Sequence, residues 1–482
     1  MIWLHTYTGL FGGWLLFTIF LTGSLSYYTT EITHWLTNTS VNKQSQLQRV
    51  NQAAGILKQH SPDADRWRIQ LPNERGSRFI ASYQKERDRK SFYLEDEVVV
   101  ESVKTQGGNF FRTFHYTVSL RQFGGRYITG VAAMLMLIGV FTGIYTHRRF
   151  FKDFFTLRPE KKRQFLIDFH AISGIVTIPF CFVICLSALF IYINLYQPIA
   201  VKNYFDSYRN LDSQVSTSYP PKKTGDEFLN ENINFSAIWQ QLSRHWGNDF
   251  TVDSVTINNP DNKEALIIVN KSKQANLSNK FVSMAFDYQG SKLADIPEER
   301  LARTVRRIFY GLHEAHFAST GLRAMLFGLG LLSTILISTG LIIWLDKRLA
   351  KKNMTSYQWI DKLNNACFYG LLLAIAAYLL TTKSGMASTP ERVEQTIFFY
   401  TWLVSLIIAI ALPVIIGKST LIVGNTVAYS SLLIFDLFGP EAKFQIALIK
   451  GDIPHLNISL LLLFTCTWLV YATQRQIRNT FK

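Results

Sequence analysis

The chain has 482 residues, 48% of them hydrophobic, and it carries a formal net charge of +16. Several uncharged windows reach about 20 residues, the length that crosses a hydrocarbon core of roughly 30 Å. This hydropathy excludes an ordinary basic soluble protein, and no nucleic-acid-binding motif accounts for the charge. The Lys and Arg residues instead cluster just beyond the ends of apolar segments, as the positive-inside rule expects of an inner-membrane protein.

The first segment begins almost at Met1, and its apolar span covers about 10–28. It has neither a basic n-region nor an Ala-x-Ala exit, and it continues into an aromatic stretch at 27–35. We therefore interpret 1–39 as a retained transmembrane helix rather than as a cleaved signal peptide.

Two polar regions predict small α+β modules whose elements follow the same order. In 40–112, a helix at 44–59 precedes three strand-like segments, RWRIQL, SRFIASY and SFYLEDEVVV. In 200–308, a helix at 234–245 precedes DFTVDSVTI, EALIIVN and KFVSMAFDY. The basic loops on the other side of the neighbouring spans predict that both modules lie in the periplasm.

Three further transmembrane helices alternate with these modules. We assign them, each with its apolar span, to 113–150 (127–145), 170–199 (171–193) and 309–346 (324–345). The loop 151–169 and the segment DKRLAKK after the last of these spans are rich in Lys and Arg, which predicts that both lie in the cytoplasm.

The region 347–482 predicts four more spans, near 364–380, 396–416, 419–437 and 456–472. They carry no charge at mid-span and only His455 at an edge, so we expect packing there and no functional site. Eight spans place both termini in the cytoplasm. The predicted fold class is a mainly α, polytopic inner-membrane protein with two small α+β modules.

An internal duplication relates two parts of this membrane region. A span and the residues before it return about 200 positions later, and both copies end in Thr-Gly. Aligned on these pairs, Arg126 falls on Arg323, while His115 and His313 agree to within one residue. Each half of the duplication therefore carries a histidine and an arginine at matching places.

A second pair of related segments contributes two more histidines. His5 and His170 each stand four residues before a glycine, Gly9 and Gly174. Imidazoles at facing positions on two helices are what an iron porphyrin needs as axial ligands. Glycines one turn away let a flat macrocycle approach the backbone. The two pairs therefore predict two haem sites, one at each membrane face.

Two further residue types bear on this hypothesis. Arg126 and Arg323 lie near the membrane boundary, where a guanidinium would pair with a haem propionate or, alternatively, anchor the helix at headgroups. His147 ends the second span and is an alternative inner ligand in place of His5 or His170. Zinc fits less well, because the histidines are dispersed and no carboxylate or thiolate accompanies them.

The remaining histidines and the cysteines receive structural interpretations. Four histidines have no partner in the repeat, and we expect them at the surface: His34, His60, His245 and His455. The four cysteines lie within or at the end of apolar spans, with neither a zinc spacing nor a disulfide framework, and we interpret them as packing residues: Cys181, Cys185, Cys367 and Cys466.

One physical difficulty concerns depth. The 32 residues between His115 and His147 would rise about 48 Å in a straight helix, so two haems could lie too far apart for one electron step. Three alternatives stay open: a helix break around Gly124-Gly125, a deeper inner haem, or another carrier.

Several motifs make the chain similar to the PepSY-associated transmembrane family of inner-membrane proteins. They are LHTYTGL, FHYTVSL, TGIYTHRRFFKDFFTLRP, LIDFHAISGIVTIPF and LHEAHF with STGLIIW, and with their flanks they cover 3–36, 114–190 and 312–348. The resemblance implies PepSY-like periplasmic modules. It places five histidines on family motif positions: His5, His115, His147, His170 and His313.

The resemblance also implies a function, because some relatives are haem b ferrisiderophore reductases. The sequence has no Gly-rich nucleotide loop of the kind found in relatives that carry a reductase module, so we expect a separate electron donor, either a quinol or a cytoplasmic reductase. The expected partners are then a ferric siderophore, the bilayer and this donor, with no nucleic acid.

Three interpretations compete. The first is a di-haem reductase acting on iron(III) chelates, with Arg303, Arg306 and Arg307 either attracting an anionic chelate or forming a solvated helix face. The second is a membrane-anchored PepSY regulator, peptidase inhibitor or assembly protein without redox activity. The third, a transporter, ranks last because no predicted span has a charge at its centre.

Overall fold

The computed structural model describes residues 1–37, 44–73, 75, 79–86, 88–95, 98–100, 105–146, 157–196, 198–205, 232–272, 277–278, 282–293, 301–349, 355–384, 393–439 and 443–480. These residues form two compact units. A helical unit takes its described residues from 1–37, 104–195 and 318–482, and a sheet unit takes its own from 38–103 and 196–317. Each unit is therefore assembled from segments that are separate in the sequence.

In chain order the helices are α1 (Ile2–Ser26), α2 (Thr29–Thr37), α3 (Gln46–His60), α4 (Asn109–Thr117), α5 (Gly125–Thr146), α6 (Lys162–Ile191), α7 (Ile193–Tyr196), α8 (Pro198–Phe205), α9 (Phe235–Trp246), α10 (Leu301–Glu314), α11 (Thr320–Leu349), α12 (Thr355–Lys383), α13 (Val393–Ala411), α14 (Val414–Phe438), α15 (Lys443–Lys450) and α16 (Ile453–Thr480). The strands are β1 (Arg66–Gln70), β2 (Ile80–Lys85), β3 (Asp88–Glu95), β4 (Val98–Val100), β5 (Val252–Asn258), β6 (Leu266–Lys271) and β7 (Ser283–Phe286).

Eight helices are long and apolar enough to cross a bilayer: α1, α5, α6, α11, α12, α13, α14 and α16. The prediction of a polytopic helical membrane protein with eight spans is therefore confirmed. The first helix begins at Ile2, within the segment 1–39 assigned to it, so His5 lies inside the helix. Hydroxyl groups in these helices bond to carbonyls one turn back, as Thr22 does to Thr18, which satisfies them without water.

The N-terminal spans form a four-helix bundle. Helix α1 packs against α5 and α11, and α6 packs against the same two helices, so α1 and α6 lie diagonally opposite each other. The duplication relates α1 to α6 and α5 to α11, which gives the bundle approximate twofold symmetry. We call the end where α1 begins the His5 end, and the opposite end, where α2 follows α1, the α2 end.

A helix break separates α4 from α5. Gly124 adopts φ +78°, a left-handed conformation that side chains rarely take, after a short 3-10 turn at Arg121–Phe123. A Cβ atom on Gly125 would lie 1.9 Å from the carbonyl oxygen of Thr117, so the chain can turn there only with glycine. The sequence left three alternatives open for the distance between the two predicted haems, and the structure shows the first of them, a helix break at Gly124-Gly125.

The C-terminal helices pack on the bundle and on one another. Helix α12 contacts α1, α11, α13 and α14, and α14 in turn contacts α16. Aromatic rings tie α4 to α12 and α13: the Phe110 ring stacks on Tyr378 at 4.6 Å and meets Phe398 at 4.9 Å. All four cysteines are buried and free, in line with a packing role.

A buried group of charges lies at the α2 end of the C-terminal helices. The Lys383 ammonium lies 2.9 Å from Asp436 Oδ1, and their side chains are 2% and 0% exposed. Lys383 also donates to the carbonyl of Trp35 at 2.7 Å and lies 4.0 Å from the centroid of its indole ring. His455 Nε2 lies 3.3 Å from the same carboxylate oxygen, outside hydrogen-bonding geometry.

This group corrects two expectations from the sequence. The C-terminal spans carry buried charge at their edges besides His455, because Asp436 lies two residues before the end of α14 and Lys383 ends α12. His455 is fully buried and His34 is 3% exposed, so neither is a surface residue. His34 Nε2 pairs with Asp452 at 2.7 Å. The sequence shows these positions as span ends facing water, whereas helix α2 packs against α12 and α16 there.

The sheet unit contains one seven-stranded antiparallel sheet in the order β4-β3-β2-β1-β5-β6-β7. The two modules predicted separately thus join through β1 and β5, where Trp67 pairs with Ile257 and Ile69 with Val255. Helices α3 and α9 contact each other and contribute to a single buried core with both groups of strands. The predicted strand SFYLEDEVVV is divided between β3 and β4.

The predicted helices of this unit are confirmed, and local capping fixes where they begin. Ser45 and Gln48 form a capping box, with bonds of 3.3 and 2.9 Å between each side chain and the other backbone N–H. The Asn234 side chain accepts from the N–H of Ala237 at 3.0 Å.

We predict that Asp436→Asn destabilises the helical unit by about 3–5 kcal/mol, because it leaves a buried ammonium without its carboxylate. Thermal unfolding of the detergent-solubilised protein measures the effect. The double substitution Lys383→Met with Asp436→Leu removes both charges, and we expect it to recover most of the loss. Equal destabilisation by the single and double variants would contradict this account.

Candidate functional site

A cavity of about 870 Å³ lies among the four helices of the bundle at its His5 end. Helices α1, α5, α6 and α11 all contribute to its wall, and both His5 and His170 line it. Its volume lies within the range of about 300–1,000 Å³ that is usual for small-molecule and cofactor sites. Most of the lining is apolar, so the few polar groups determine what can bind.

The His5 ring is held by the neighbouring helix α5. Its Nδ1 lies 3.0 Å from the carbonyl oxygen of Gly139 and 3.2 Å from Thr142 Oγ1. A carbonyl oxygen only accepts, so Nδ1 carries the proton and Nε2 is left as the nitrogen with a lone pair. A bond of this kind is the usual support of a metal-binding histidine.

The His170 ring is held in the same way by the equivalent helix α11. Its Nδ1 lies 3.1 Å from the carbonyl oxygen of Leu336 and 3.1 Å from Thr339 Oγ1. In the repeat, Leu336 corresponds to Gly139 and Thr339 to Thr142. The duplication therefore reproduces both the histidines and the backbone and hydroxyl groups that orient them.

The structure brings these two predicted histidines together. Their ring centroids are 6.5 Å apart, and the ring planes are inclined at 74°. One metal bonded to two imidazoles at about 2 Å per bond holds the bonded nitrogens about 4 Å apart, with the ring centroids somewhat further out. The observed separation is compatible with one metal between the two rings.

Among the described residues, no further side chain completes the ligand set of such a metal. No group of three or more His, Cys, Asp or Glu side chains among the described residues could hold a metal ion. A haem supplies four ligands itself and needs only the two axial positions from the protein. The chemistry of the donor set therefore fits a haem better than a bare metal ion.

Glycines give the cavity room for a flat group. Cβ atoms built on Gly9 and Gly139, which both line the cavity, would meet nothing within 4 Å. A Cβ on Gly340 would approach His170 Cε1 to 3.0 Å, and one on Gly143 would approach His5 Cε1 to 3.4 Å. Larger residues would fill the cavity in the first case and displace the rings in the second.

His115, which belongs to α4, packs against α1 farther along that helix than His5. Its Nδ1 lies 2.8 Å from the carbonyl oxygen of Ile19, and its ring rests on Gly23, where a Cβ would lie 2.7 Å from two ring atoms. Burial lowers the pKa of His115, and the bond to the Ile19 carbonyl offsets this only in part. Burial therefore favours the neutral ring, the form in which imidazole binds a metal.

The two positions on α1 define the depth between the predicted sites. Fourteen residues of continuous helix separate His5 from Ile19, a rise of about 21 Å. This is less than half of the span estimated for a straight helix from His115 to His147. The break at Gly124 accounts for the difference, because it ends the continuous helix before α5 and lets α4 pack against α1.

The other predicted site residues have varied positions. His313 lies in α10 of the sheet unit, so its pairing with His115 stays a prediction, and His147 lies outside the described residues. Arg126 is exposed, 5.6 Å from the Tyr116 ring centroid, whereas Arg323 is buried and donates to Glu31 at 2.8 Å. The two arginines, equivalent in the repeat, thus have different surroundings, and a propionate contact stays a prediction for both.

Sequence reasoning missed Thr142 and Thr339 as supporting residues. The signal was present, because both belong to the Thr-Gly pairs on which the repeat aligns. It was not interpretable from the sequence alone, since only packing of α5 against α1, and of α11 against α6, brings these hydroxyls to the histidines.

Comparison with known proteins identifies the family of the chain. The family model described as the PepSY-associated TM region matches residues 2–347, which include the bundle and the histidines assigned above. A comparison with curated proteins gives no match. The match ends before α12, so the C-terminal helices lie beyond the family region.

We predict that Gly23→Ala destabilises the helical unit by about 1–3 kcal/mol through overpacking against the His115 ring. Thermal unfolding in detergent measures this change. Gly328→Ala is the matched control, because a Cβ on that exposed helical glycine meets nothing within 4 Å. The control should unfold at the same or a higher temperature, and equal losses in both variants would contradict the contact.

Proposed function

Because the chain belongs to the PepSY-associated transmembrane family, we propose that it is a haem b electron-transfer protein of the inner membrane that reduces iron(III) chelates such as ferric siderophores. The observation that supports this function best is the His5–His170 pair, with its two equivalent Nδ1 anchors, inside one cavity.

Each histidine has a role in this proposal. His5 and His170 would hold one haem, with His147 as an alternative ligand at this end. His115 would bind a second haem, with His313 as its partner by analogy with the repeat. Bound haem would supply a one-electron iron couple whose potential depends on its ligands and burial.

The protein's own groups would prepare the inner site for this chemistry. The carbonyls of Gly139 and Leu336 hold the Nδ1 protons, so that each ring keeps one orientation and one tautomer. The mostly apolar wall would favour the less charged reduced state of a bound group. No proton needs to move at these histidines when an electron passes.

The direction of electron flow follows from the charge of the loops. The basic segment 151–169 and the residues after α11 favour a cytoplasmic His5 end, so electrons would enter there from a quinol or a cytoplasmic reductase. They would leave near His115 on the periplasmic side. Iron(III) in the chelate gains one electron and becomes iron(II), which hard oxygen ligands bind far more weakly.

We predict that the detergent-purified protein from haem-replete cells shows b-type absorption bands, at about two haems per chain. His5→Ala and His170→Ala should each lower the content to about one, because each removes an axial ligand of the same haem. The absorption spectrum before and after dithionite, with a pyridine haemochrome assay, measures both.

His245→Ala is the matched control, because that exposed ring bonds only within its own helix, to the carbonyl of Gln241 at 2.8 Å. It should retain the full haem content. A colourless protein with intact folding would overturn the redox function and leave the regulatory alternative, for which partners of the sheet unit would be sought.

We further predict that an iron(III) hydroxamate chelate oxidises the dithionite-reduced protein, with iron(II) appearing in step as the reduced bands are lost. The gallium(III) chelate has the same charge and shape but accepts no electron, so it should leave the reduced spectrum unchanged. Rapid-mixing absorption measures both reactions. Persistence of the reduced spectrum with the iron chelate would contradict the proposed substrate class.

A further inference from the structure

Donor groups gather at one side of the cavity, in the last turns of α11. Trp344, Lys347 and Arg348 all line the cavity there. The indole Nε1 of Trp344 is buried and meets no acceptor among the described residues. A buried N–H without an acceptor is uncommon in folded proteins, so this donor can bond to a group bound in the cavity.

The surroundings of Trp344 fix its position. The guanidinium carbon of Arg348 lies 3.7 Å from the indole centroid, and Nη1 donates to the Trp344 carbonyl at 3.1 Å. The Tyr357 ring contacts the indole edge-on at 5.6 Å. Arg348 has five N–H donors and uses one of them in this bond, so it retains donors for a further acceptor.

Among the described residues, no carboxylate in the cavity balances these positive charges. None of the described residues that line the cavity is Asp or Glu. The nearest acidic residue in the sequence, Asp346, is exposed and lies 3.7 Å from Arg163, outside the lining. An anion entering the cavity would therefore meet two cations and one N–H donor.

The duplication does not repeat this feature. Positions 344, 347 and 348 of α11 correspond to His147, Phe150 and Phe151 in the first half of the chain. The two histidine ligands are equivalent, whereas the Lys and Arg are replaced by two phenylalanines. The feature can therefore give the cavity one preferred orientation for a bound molecule.

We propose that Trp344, Lys347 and Arg348 form a carboxylate subsite that receives the propionates of the haem held between His5 and His170. The subsite rests on the proposed function. His5 and His170 would hold the iron but would leave the macrocycle able to turn about the line that joins them. Charge-assisted bonds to the propionates would stop that rotation and direct the carboxylates toward the end of α11.

A lipid phosphate offers the same acceptor chemistry, and the exposed Lys347 ammonium alone would suit it. The buried Trp344 N–H favours a group inside the cavity over a headgroup at the bilayer surface. Esterification of the two propionates separates these sources, because it removes the haem carboxylates and leaves lipid unchanged.

The test compares haem with its dimethyl ester in Soret titrations of haem-depleted protein. The substitution His115→Ala is present in every variant, so that the Soret change reports binding at the His5–His170 site alone. We expect the ester to bind about tenfold more weakly than haem in this parent, and the two to bind equally well when Lys347→Met and Arg348→Met are added. The control is Arg163→Met, at the same end but outside the cavity, and it should prefer haem over the dimethyl ester as strongly as the parent does.

The outcomes separate the subsite from the function. If the parent binds haem and its ester equally, or the variant still discriminates, the subsite is wrong and the haem function stands. If the parent binds neither, the function fails and the subsite with it. An effect on bound phospholipid without one on ester discrimination also overturns the subsite.

Further single variants test the subsite in case the double variant Lys347→Met with Arg348→Met does not fold. Trp344→Phe keeps the aromatic packing and removes only the N–H, and we expect it to weaken haem binding more than ester binding, because a bond to the charged carboxylate is the stronger of the two. In the otherwise unmodified chain, Arg348→Met should lower one of the two haem reduction potentials, because a nearby positive charge stabilises the reduced form. Unchanged potentials would count against the subsite.

Discussion

The bond between an imidazole N–H and a backbone carbonyl of a neighbouring helix underlies the arrangement of this bundle. Such a bond satisfies a polar group in apolar surroundings, and it also fixes which nitrogen keeps a lone pair. Gly139 and Leu336 accept these bonds at equivalent places. The helices must keep their relative rotation for both bonds to persist, so the packing of the bundle and the orientation of its histidines depend on each other.

Helix α1 carries both predicted sites. His5 projects from the first turns of α1. Farther along α1, the carbonyl of Ile19 accepts the bond from His115, and Gly23 leaves room for the His115 ring. The left-handed Gly124 makes this possible, because it detaches α4 from the span that follows. A straight helix would have carried His115 far from α1. The depth between the sites is thus determined by one turn of backbone rather than by the length of a span.

Much of this fold was predictable from hydropathy and internal repetition. Span length and charge predicted the eight membrane helices, and the repeat predicted that His5 and His170 belong together. Features that depend on tertiary packing were not predictable. His34 and His455 look like surface residues until α2 packs over the ends of the C-terminal helices, and the donors around Trp344 become a group only when α11 lines the cavity.

The single sheet bears on how the protein is made. Strand β1 is translated early, but its partner β5 follows only after α5 and α6 have been synthesised. Until then β1 is an unpaired edge flanking an incomplete core, and exposed edges of this kind invite pairing with other chains. The first module therefore cannot complete its folding during synthesis of its own half. A ribosome stalled before residue 258 would leave a nascent protein that depends on chaperones at this edge.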